Sequence, residues 1–444
     1  MYRLPKDTEI TPELILALVD HFDLERKPRL DRLGDYYETN HDIRQRAIKD
    51  PTKPNHKIVN PYPKYIADVA SGYFLGAPVK YGSEDEQLME KLQDVFDAND
   101  DATHNLRLSK NLSIFGTAFE FIYLNPVSEI RYTSLDPRST FLVHDDTVEE
   151  APLFAIRFYT STDYLEKTER LHVEVFTDKA ILLFDKVEDE LIERELSLHY
   201  FGGVPVIEYT NNPEGMGDFE PVLSLVDAYD LAVSDTANDL SYFSDAYMKL
   251  TGMENTLPED VASMKENRIL LMPEGGDASF VVKQSDYNAV EVYKSRLRED
   301  IHKFSMTPDL TDSNFAANAS GVAMKYKVFG LENVAVNKEG SFKGSLNERM
   351  RRLVTMLNVK GGNHDPDGVY FTFHRNLPQD NDALIKAAKE LLGLVSHETA
   401  LSTLPSNIVD DTAFEMKRLE EEKASNYNTF FAQPAEETPD QEIE

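Results

Sequence analysis

Residues 217–248 read GDFEPVLSLVDAYDLAVSDTANDLSYFSDAYM. Asp218 is placed to cap a helix, and Pro221 falls in the first turn, where a missing N–H is harmless. An apolar stripe follows through Leu223, Val226, Tyr229, Val233, Ala237, Leu240, Phe243, Tyr247 and Leu250. Every step is three or four residues, so the stripe keeps to one side of a helix. From Asp218 to Leu250 such a helix would be roughly 50 Å long. The opposite side carries Asp227, Asp230, Asp235, Asp239 and Asp245, and no Lys or Arg occurs from Glu195 to Met248. Within the helix these acids have no basic partner one turn away to relieve their repulsion. The stretch reads as a rod with an apolar side and an anionic side, against the plainer alternative of a surface helix with a solvated charged face.

Outward from the rod, 79 acidic and 46 basic residues in 444 give a net charge of −33. Counter-ion release on nucleic acid needs Lys and Arg against phosphates, so so acidic a surface does not adsorb DNA, nor an anionic membrane. It can surround a duplex without sticking to it. The length implies two or three domains. There are no cysteines, which excludes disulfides and thiolate metal sites. MYRLPKDTEI lacks a signal-peptide core, and no run approaches the ~18–20 apolar residues of a membrane span, so a soluble protein is expected.

Thr11-Pro12 opens a helix that breaks at Pro28, and a second piece runs from about 29 to 37. Between 44 and 64 lie Arg44, Arg46, Lys49, Lys53, Lys57 and Lys64 against Asp42 and Asp50, a basic Pro-punctuated loop. Pairing with the acidic remainder of the chain or with a neighbour is the favoured role, nucleic-acid contact the other. Helices are expected at 58–79, 84–96 and 102–115. From Gly116 the period changes to two, which predicts a mostly antiparallel β-rich region to about 211. Beyond the rod, a short helix (258–266) and the strands RILLMP and SFVVKQ make a small α/β module. A helix over 290–305 ends at Pro308, and 309–320 is a polar loop. A long helical pattern over 321–358 has Gly330, Gly340 and Gly344 as bends. It is basic where the rod is acidic. VYFTFHR (369–375) is a strand, 380–423 is helical, and the acidic end FFAQPAEETPDQEIE is expected to be disordered.

Chemistry yields negatives. No phosphate-gripping G-x-x-x-x-G-K-[ST] is present. Gly215-Met216-Gly217 lacks the third glycine of a dinucleotide fingerprint, and His397-Glu398 lacks the second His of a zinc-protease helix. The run 363–368 starts like a calcium loop, but His374 stands where the closing Glu belongs, and a plain turn is the better reading. No enzyme activity, cofactor or metal is expected.

Several blocks carry a likeness: NNPEGMGDFEPVLSLVDAYDLAVSDTANDLSYFSDAYMKLTG (211–252), IVNPYPKYIADVASGYFLGAPV (58–79), IFGTAFEF (114–121) and NASGVAMKYKVFGLEN (318–333). Taken in their order along the chain, these blocks resemble the portal proteins of tailed bacteriophages, siphophage type, and the likeness spans roughly residues 40 to 360. The resemblance implies an α+β portal fold with long stem helices, a β-rich wing, a small α/β clip and a helical crown, assembled as a ring of about twelve subunits at one capsid vertex. Its implied parts are a wing over 1–210, a stem helix over 211–256, a clip over 257–289 and a second stem helix over 290–308. A tunnel loop would follow over 309–320, a long kinked wing helix and strand over 321–375, a crown over 376–425 and a disordered acidic tail over 426–444. Asp312, Asn314, Phe315, Asn318 and Ser320 would face DNA in the tunnel loop, with Phe315 equally readable as a buried anchor. Asp227, Asp230, Asp235, Asp239 and Asp245 would form the acidic stem face. Glu266, Arg268, Glu274 and Lys283 would carry the docking surface of the clip. Implied partners are double-stranded DNA in the channel, the terminase large subunit, a head-completion adaptor, and the major capsid and scaffold proteins, with no membrane. The location implied is the virion, after synthesis in the host cytoplasm. Twelve copies would sum to about −400, a wall that repels DNA, which carries about one charge per 1.7 Å, from all sides. The basic segment 321–360 is expected to pair with acidic surfaces, with phosphate contact as the lesser reading. The rival class is an acidic adaptor or DNA-mimicking interaction protein without a ring.

Overall fold

The computed structural model describes residues 2–51, 53–165, 167–243, 247–251, 257–267, 276–281, 287–310, 326–376, 381–404, 408–409 and 412–431. The chain divides into two units, Met1–Ala317 with Tyr326–Asn376, and Asn318–Lys325 with Leu377–Glu444.

The first unit opens with β1 (Tyr2–Leu4), α1 (Pro12–Glu25) and α2 (Lys27–Tyr37). Thr11 caps α1 by accepting the Leu14 N–H at 3.3 Å, and Pro12 occupies the first turn. Pro28 likewise sits in the first turn of α2, so the break falls two residues earlier, at Arg26. There follow α3 (Tyr62–Leu75), β2 (Lys80–Ser83), α4 (Glu86–Asn99) and α5 (Asp101–Phe115).

From Thr117 the expected β-rich region appears as β3 (Thr117–Leu124), β4 (Ile130–Leu135), β5 (Thr140–Asp145), β6 (Pro152–Asp163), β7 (Thr168–Phe176), β8 (Ala180–Val187), β9 (Glu190–Leu198) and β10 (Val206–Thr210). They form two sheets, ordered β1-β5-β6-β7-β8-β9 and β10-β3-β4. Every pairing among β3 to β10 is antiparallel, and the parallel pair is β1 with β5.

The rod is shorter than its stripe suggests. A 3-10 turn (Glu220–Val222) leads into α6 (Leu223–Phe243), 21 residues or roughly 32 Å. Tyr247–Thr251, which the stripe carried on as helix, is strand β11 instead. Tyr and Thr favour strands, and β11 finds an antiparallel partner, Tyr247 opposite Val281 and Thr251 opposite Asp277. Between them lies α7 (Pro258–Asn267), and the partner strand is β12 (Asp277–Val281). The expected strand RILLMP lies outside the described residues. The unit continues with α8 (Tyr287–Phe304), α9 (Phe329–Val359) and β13 (Val369–Thr372), which pairs with β2. Helix α9 runs 31 residues, unbroken at Gly330, Gly340 and Gly344, so the glycines do not end it. The second unit holds α10 (Asn381–Leu391), α11 (His397–Ser402) and α12 (Thr412–Phe431).

One core joins the first helices, the larger sheet and the root of the rod. Ile15, Phe22, Tyr36, Ile66, Phe141, Val173, Phe219, Val226 and Ile301 belong to it. A second, around Phe119, Leu142, Phe176 and Val206, lies between the two sheets.

Beside them lies a buried charge cluster. Arg349 of α9 has no exposed surface, and neither has Glu120 of β3. Arg349 Nε donates to Glu120 Oε2 at 3.0 Å and Nη1 to Asp101 Oδ1 at 2.9 Å, while Nη2 lies 2.8 Å from Glu120 Oε1. Glu120 also holds His104 Nε2 at 2.7 Å and the Tyr209 hydroxyl at 2.9 Å. Asp101 accepts from the Tyr132 and Tyr81 hydroxyls at 2.7 and 2.6 Å. Burial pushes the Glu120 carboxyl up, but the Arg349 guanidinium and the His104 contact outweigh it and hold it at about 2. Burial raises the Tyr81 and Tyr209 hydroxyls well above their ordinary value, so both stay donors.

Removing one partner of such a cluster strands the others. Arg349→Met is expected to lose about 3–5 kcal/mol of stability in urea or thermal unfolding. Glu120 is a stronger acid folded than unfolded. Its contribution is therefore complete above pH 4.5 and lost as pH falls toward about 2. Glu120→Gln should lower the thermal midpoint at pH 7 and flatten the acid limb of a midpoint-against-pH series. An acid limb identical to that of the unsubstituted protein would assign it to another carboxylate.

Candidate functional site

The approach to α6 is a tight junction. Gly116 closes α5 at φ +80°, and a Cβ there would stand 2.1 Å from the Gly215 carbonyl oxygen. A Cβ at Gly217 would stand 2.4 Å from the Ile114 carbonyl oxygen. Asn211 Nδ2 donates to Met216 O at 2.8 Å, and Arg29 reaches Glu220 at 2.6 Å and Gly215 O at 2.9 Å. Asp218 does not cap the helix as expected. Its carboxylate takes the ammonium of Lys338 at 2.5 Å and Asn211 Nδ2 at 2.9 Å. Lys338 is 1% exposed, lies on α9, and also donates to Ser113 Oγ at 2.6 Å. Three cations of the basic helix are paired inside the subunit: Lys338 on Asp218, Arg349 on Glu120 and Asp101, Arg352 on Glu348.

Along α6, the segment 55–60 is held by a polar ladder. Asn60 N–H donates to Asp230 Oδ1 at 2.8 Å, Ile58 N–H to Ser234 Oγ at 3.0 Å, and His56 N–H to Asn238 Oδ1 at 2.7 Å. Every second residue of the segment meets every fourth of the helix, the repeat of an extended chain against that of a helix turn. Asn60 Nδ2 adds a bond to Asp230 at 2.8 Å, and His56 Nε2 lies 2.8 Å from Ser241 Oγ. On the far side of Asp230, His41 Nδ1 lies 2.6 Å from Oδ2, and His41 Nε2 faces the Tyr36 carbonyl oxygen at 3.1 Å. Both ring nitrogens face acceptor oxygens.

The four described rod acids therefore do not share one free face. Asp230 is wholly buried among donors. Asp227 accepts from the Tyr36 hydroxyl and from Arg32 at 3.1 Å. Asp235 is exposed and lies 2.7 Å from Arg46. Asp239 lines a cleft with Arg46, Lys49 and Lys53. The helix itself is free of Lys and Arg, as read, but the segment 32–60 brings the cations and donors to it. The apolar stripe is buried at Leu223 and Val226 and open at Leu240. Asp245, Arg268, Glu274, Lys283, Asp312, Asn314, Phe315, Asn318 and Ser320 lie outside the described residues. Glu266 is exposed on α7.

The chain leaving α8 toward 311 is tied to α3. The Tyr65 hydroxyl donates to Pro308 O at 2.8 Å and accepts the Leu310 N–H at 3.0 Å. His302 donates from Nδ1 to Thr307 O at 3.0 Å and stands edge-on to Tyr62 and Tyr65. With Asn60, Arg298 and Asp309 these rings line a cleft of about 320 Å³. The calcium-like run 363–368 is a 3-10 turn (Pro366–Gly368) whose His364 binds Asp85 at 2.6 Å. Among the described residues no group of His, Asp and Glu is placed to hold a metal, and no helix is long and apolar enough to cross a membrane.

Position, and not charge alone, should decide what a lysine does here. Asp230→Lys sets an ammonium against the Asn60 donors and His41, and is expected to cost about 3 kcal/mol or more. Asp230→Asn, which keeps an acceptor, should lose about 1–3 kcal/mol. Asp235→Lys, at an exposed pair, should shift stability by less than about 1 kcal/mol. Equal thermal midpoints for the two lysine variants would contradict this placement.

Comparison with known proteins bears on the whole of this architecture. The family described as "Phage portal protein, SPP1 Gp6-like" matches residues 16–428. The portal protein of Bacillus phage SPP1 is 23% identical over 439 residues, covering 93% of this chain and 84% of that protein. The portal protein of Clostridium phage phiCD119 is 22% identical over 465 residues, covering 94% and 99%. A chain from a structure described as "Neck of empty GTA particle computed with C6 symmetry" aligns at TM-score 0.46 and 12% identity, over 78% of this chain and 90% of that one. With the family's pattern running from the first helix to the last, this chain belongs to the SPP1 Gp6-like phage portal proteins.

Proposed function

We propose that about twelve copies of this chain form a ring at one capsid vertex, through which the double-stranded genome is packaged and later ejected. The observation that carries this is the family match over residues 16–428. Two features suit it. Helices α6 and α8 pack on each other, a hairpin of helices rooted in the core through Val226 and Ile301. The chain's −33 charge lets its walls repel a duplex on all sides.

In this reading 1–210 is the wing, 211–256 and 290–308 the stem, 257–289 the clip, 321–375 the long wing helix and strand, and 376–425 the crown. The segment 309–320 is the tunnel loop, facing DNA, with Tyr65 and His302 fixing its root. The clip docks the terminase large subunit during packaging and a head-completion adaptor afterwards. Crown or wing meets the major capsid and scaffold proteins. The chain performs no hydrolysis of its own in this scheme, and its place is the virion.

Native mass spectrometry with negative-stain imaging of the purified protein tests the ring. Closed particles of about twelve copies with a central hole are expected, and a protein that stays monomeric even with its scaffold present would overturn the reading. Deleting 312–319 should leave rings intact and block packaging in a complementation assay. A packaging-competent deletion would remove the loop from the mechanism.

A further inference from the structure

Strand register sets three polar side chains in a row across the larger sheet. Tyr159 of β6 stands opposite His172 of β7, and His172 stands opposite Asp185 of β8. Ser161, two residues beyond Tyr159, shares its face and meets His172 on the diagonal. The Ser161 Oγ lies 2.6 Å from His172 Nε2, and His172 Nδ1 lies 2.7 Å from Asp185 Oδ1. One ring nitrogen is thus on the hydroxyl and the other on the carboxylate. A neutral imidazole that donates from Nδ1 to Asp185 turns its Nε2 lone pair on the hydroxyl. A hydroxyl beside a base, with a third group orienting the base, is how a serine is made a nucleophile.

The surroundings hold this row in place. The Tyr159 ring lies against His172 with centroids 5.1 Å apart, and the Arg157 guanidinium stands 4.6 Å over Tyr159. Arg194 Nη1 donates to Asp185 Oδ1 at 3.4 Å. Arg170 is exposed and directly opposite Ser161 in register. Side chains so placed start about 5 Å apart, which brings a guanidinium within reach of negative charge developing beside Ser161. Ser161 is exposed, whereas the side chains of His172 and Asp185 are 13% and 25% exposed. The hydroxyl is open to a reagent from solution while the base behind it is shielded.

We propose that Ser161 is a reactive serine that accepts an acyl group from an activated ester or thioester. His172 is its base, Asp185 positions the imidazole, and Arg170 faces the developing oxyanion. The Ser161 Oγ attacks the carbonyl carbon and gives its proton to His172 Nε2. The new O–C bond forms as the bond from that carbon to the leaving alcohol or thiol breaks, and His172 passes the proton to the leaving group. The products are acylated Ser161 and a free alcohol or thiol. This inference is independent of the ring reading and stands or falls without it.

A fluorophosphonate, whose phosphorus stands for the carbonyl carbon and which loses fluoride, probes the site on the purified full-length chain. Peptide mapping should find the adduct on Ser161, formed about a hundredfold faster than on Ser197, an exposed hydroxyl bound to Glu195. p-Nitrophenyl acetate should leave its acetyl group on the same residue. Ser161→Ala should abolish both reactions. His172→Gly should slow labelling about a hundredfold, with free imidazole restoring part of the rate. Asp185→Asn should slow it about tenfold or more, and Asp185→Glu, which keeps a carboxylate, should retain more of it. All four variants should melt close to the unsubstituted chain, since the row lies at the surface. Labelling of Ser161 no faster than that of Ser197 would overturn the proposal, and so would labelling at an unchanged rate in the His172→Gly variant.

Discussion

A guanidinium with no exposed surface must be surrounded by counter-charge, and Arg349 is the residue from which the first unit is laid out. It gathers Asp101 from α5 and Glu120 from β3, while Tyr209 of β10 closes on the same carboxylate. A helix, both outer strands' neighbour and the long α9 are thereby fixed to one another by a group that cannot be desolvated alone. Eleven residues earlier on the same side of α9, Lys338 repeats the device on Asp218. The first cation sets where α9 lies on the sheet, and the second sets where the acidic rod begins. Paired charges allow one register.

Much of the layout was legible in advance, for local reasons. Thr11 with Pro12, the Gly at the end of α5 and the change to period two at residue 116 are signals written within a few residues of their effect. The family likeness was legible as well, in blocks that include the junction of Gly116 with Gly215 and the rod itself. What escaped depends on partners far along the chain. Tyr247–Thr251 continues a helical spacing perfectly well, and becomes a strand because Asp277–Val281 lies opposite. Strand β1 is three residues long and acquires meaning from β5.

The polarity of α6 misled in a different way. A helical wheel assumes that the side facing the protein is apolar, and on that assumption Asp230 belongs outside. Its packing partner is an irregular segment with unspent backbone N–H groups, which demands acceptors instead. Asp230, Ser234 and Asn238 are spaced one turn apart, a signal present in the sequence. Its meaning needs the donors of His56, Ile58 and Asn60, some 170 or more positions away.

The same ladder behaves as a vernier. Four helical residues advance about 6.0 Å, whereas two extended residues advance about 6.6–6.8 Å. The scales part by roughly 0.7 Å at each rung, so a match at Asp230 is spoiled within a few turns. Such a contact limits its own length without any stop signal in the sequence. It also has a preferred setting, because sliding the segment by two residues would bring Pro54, which has no N–H, to one of the acceptors.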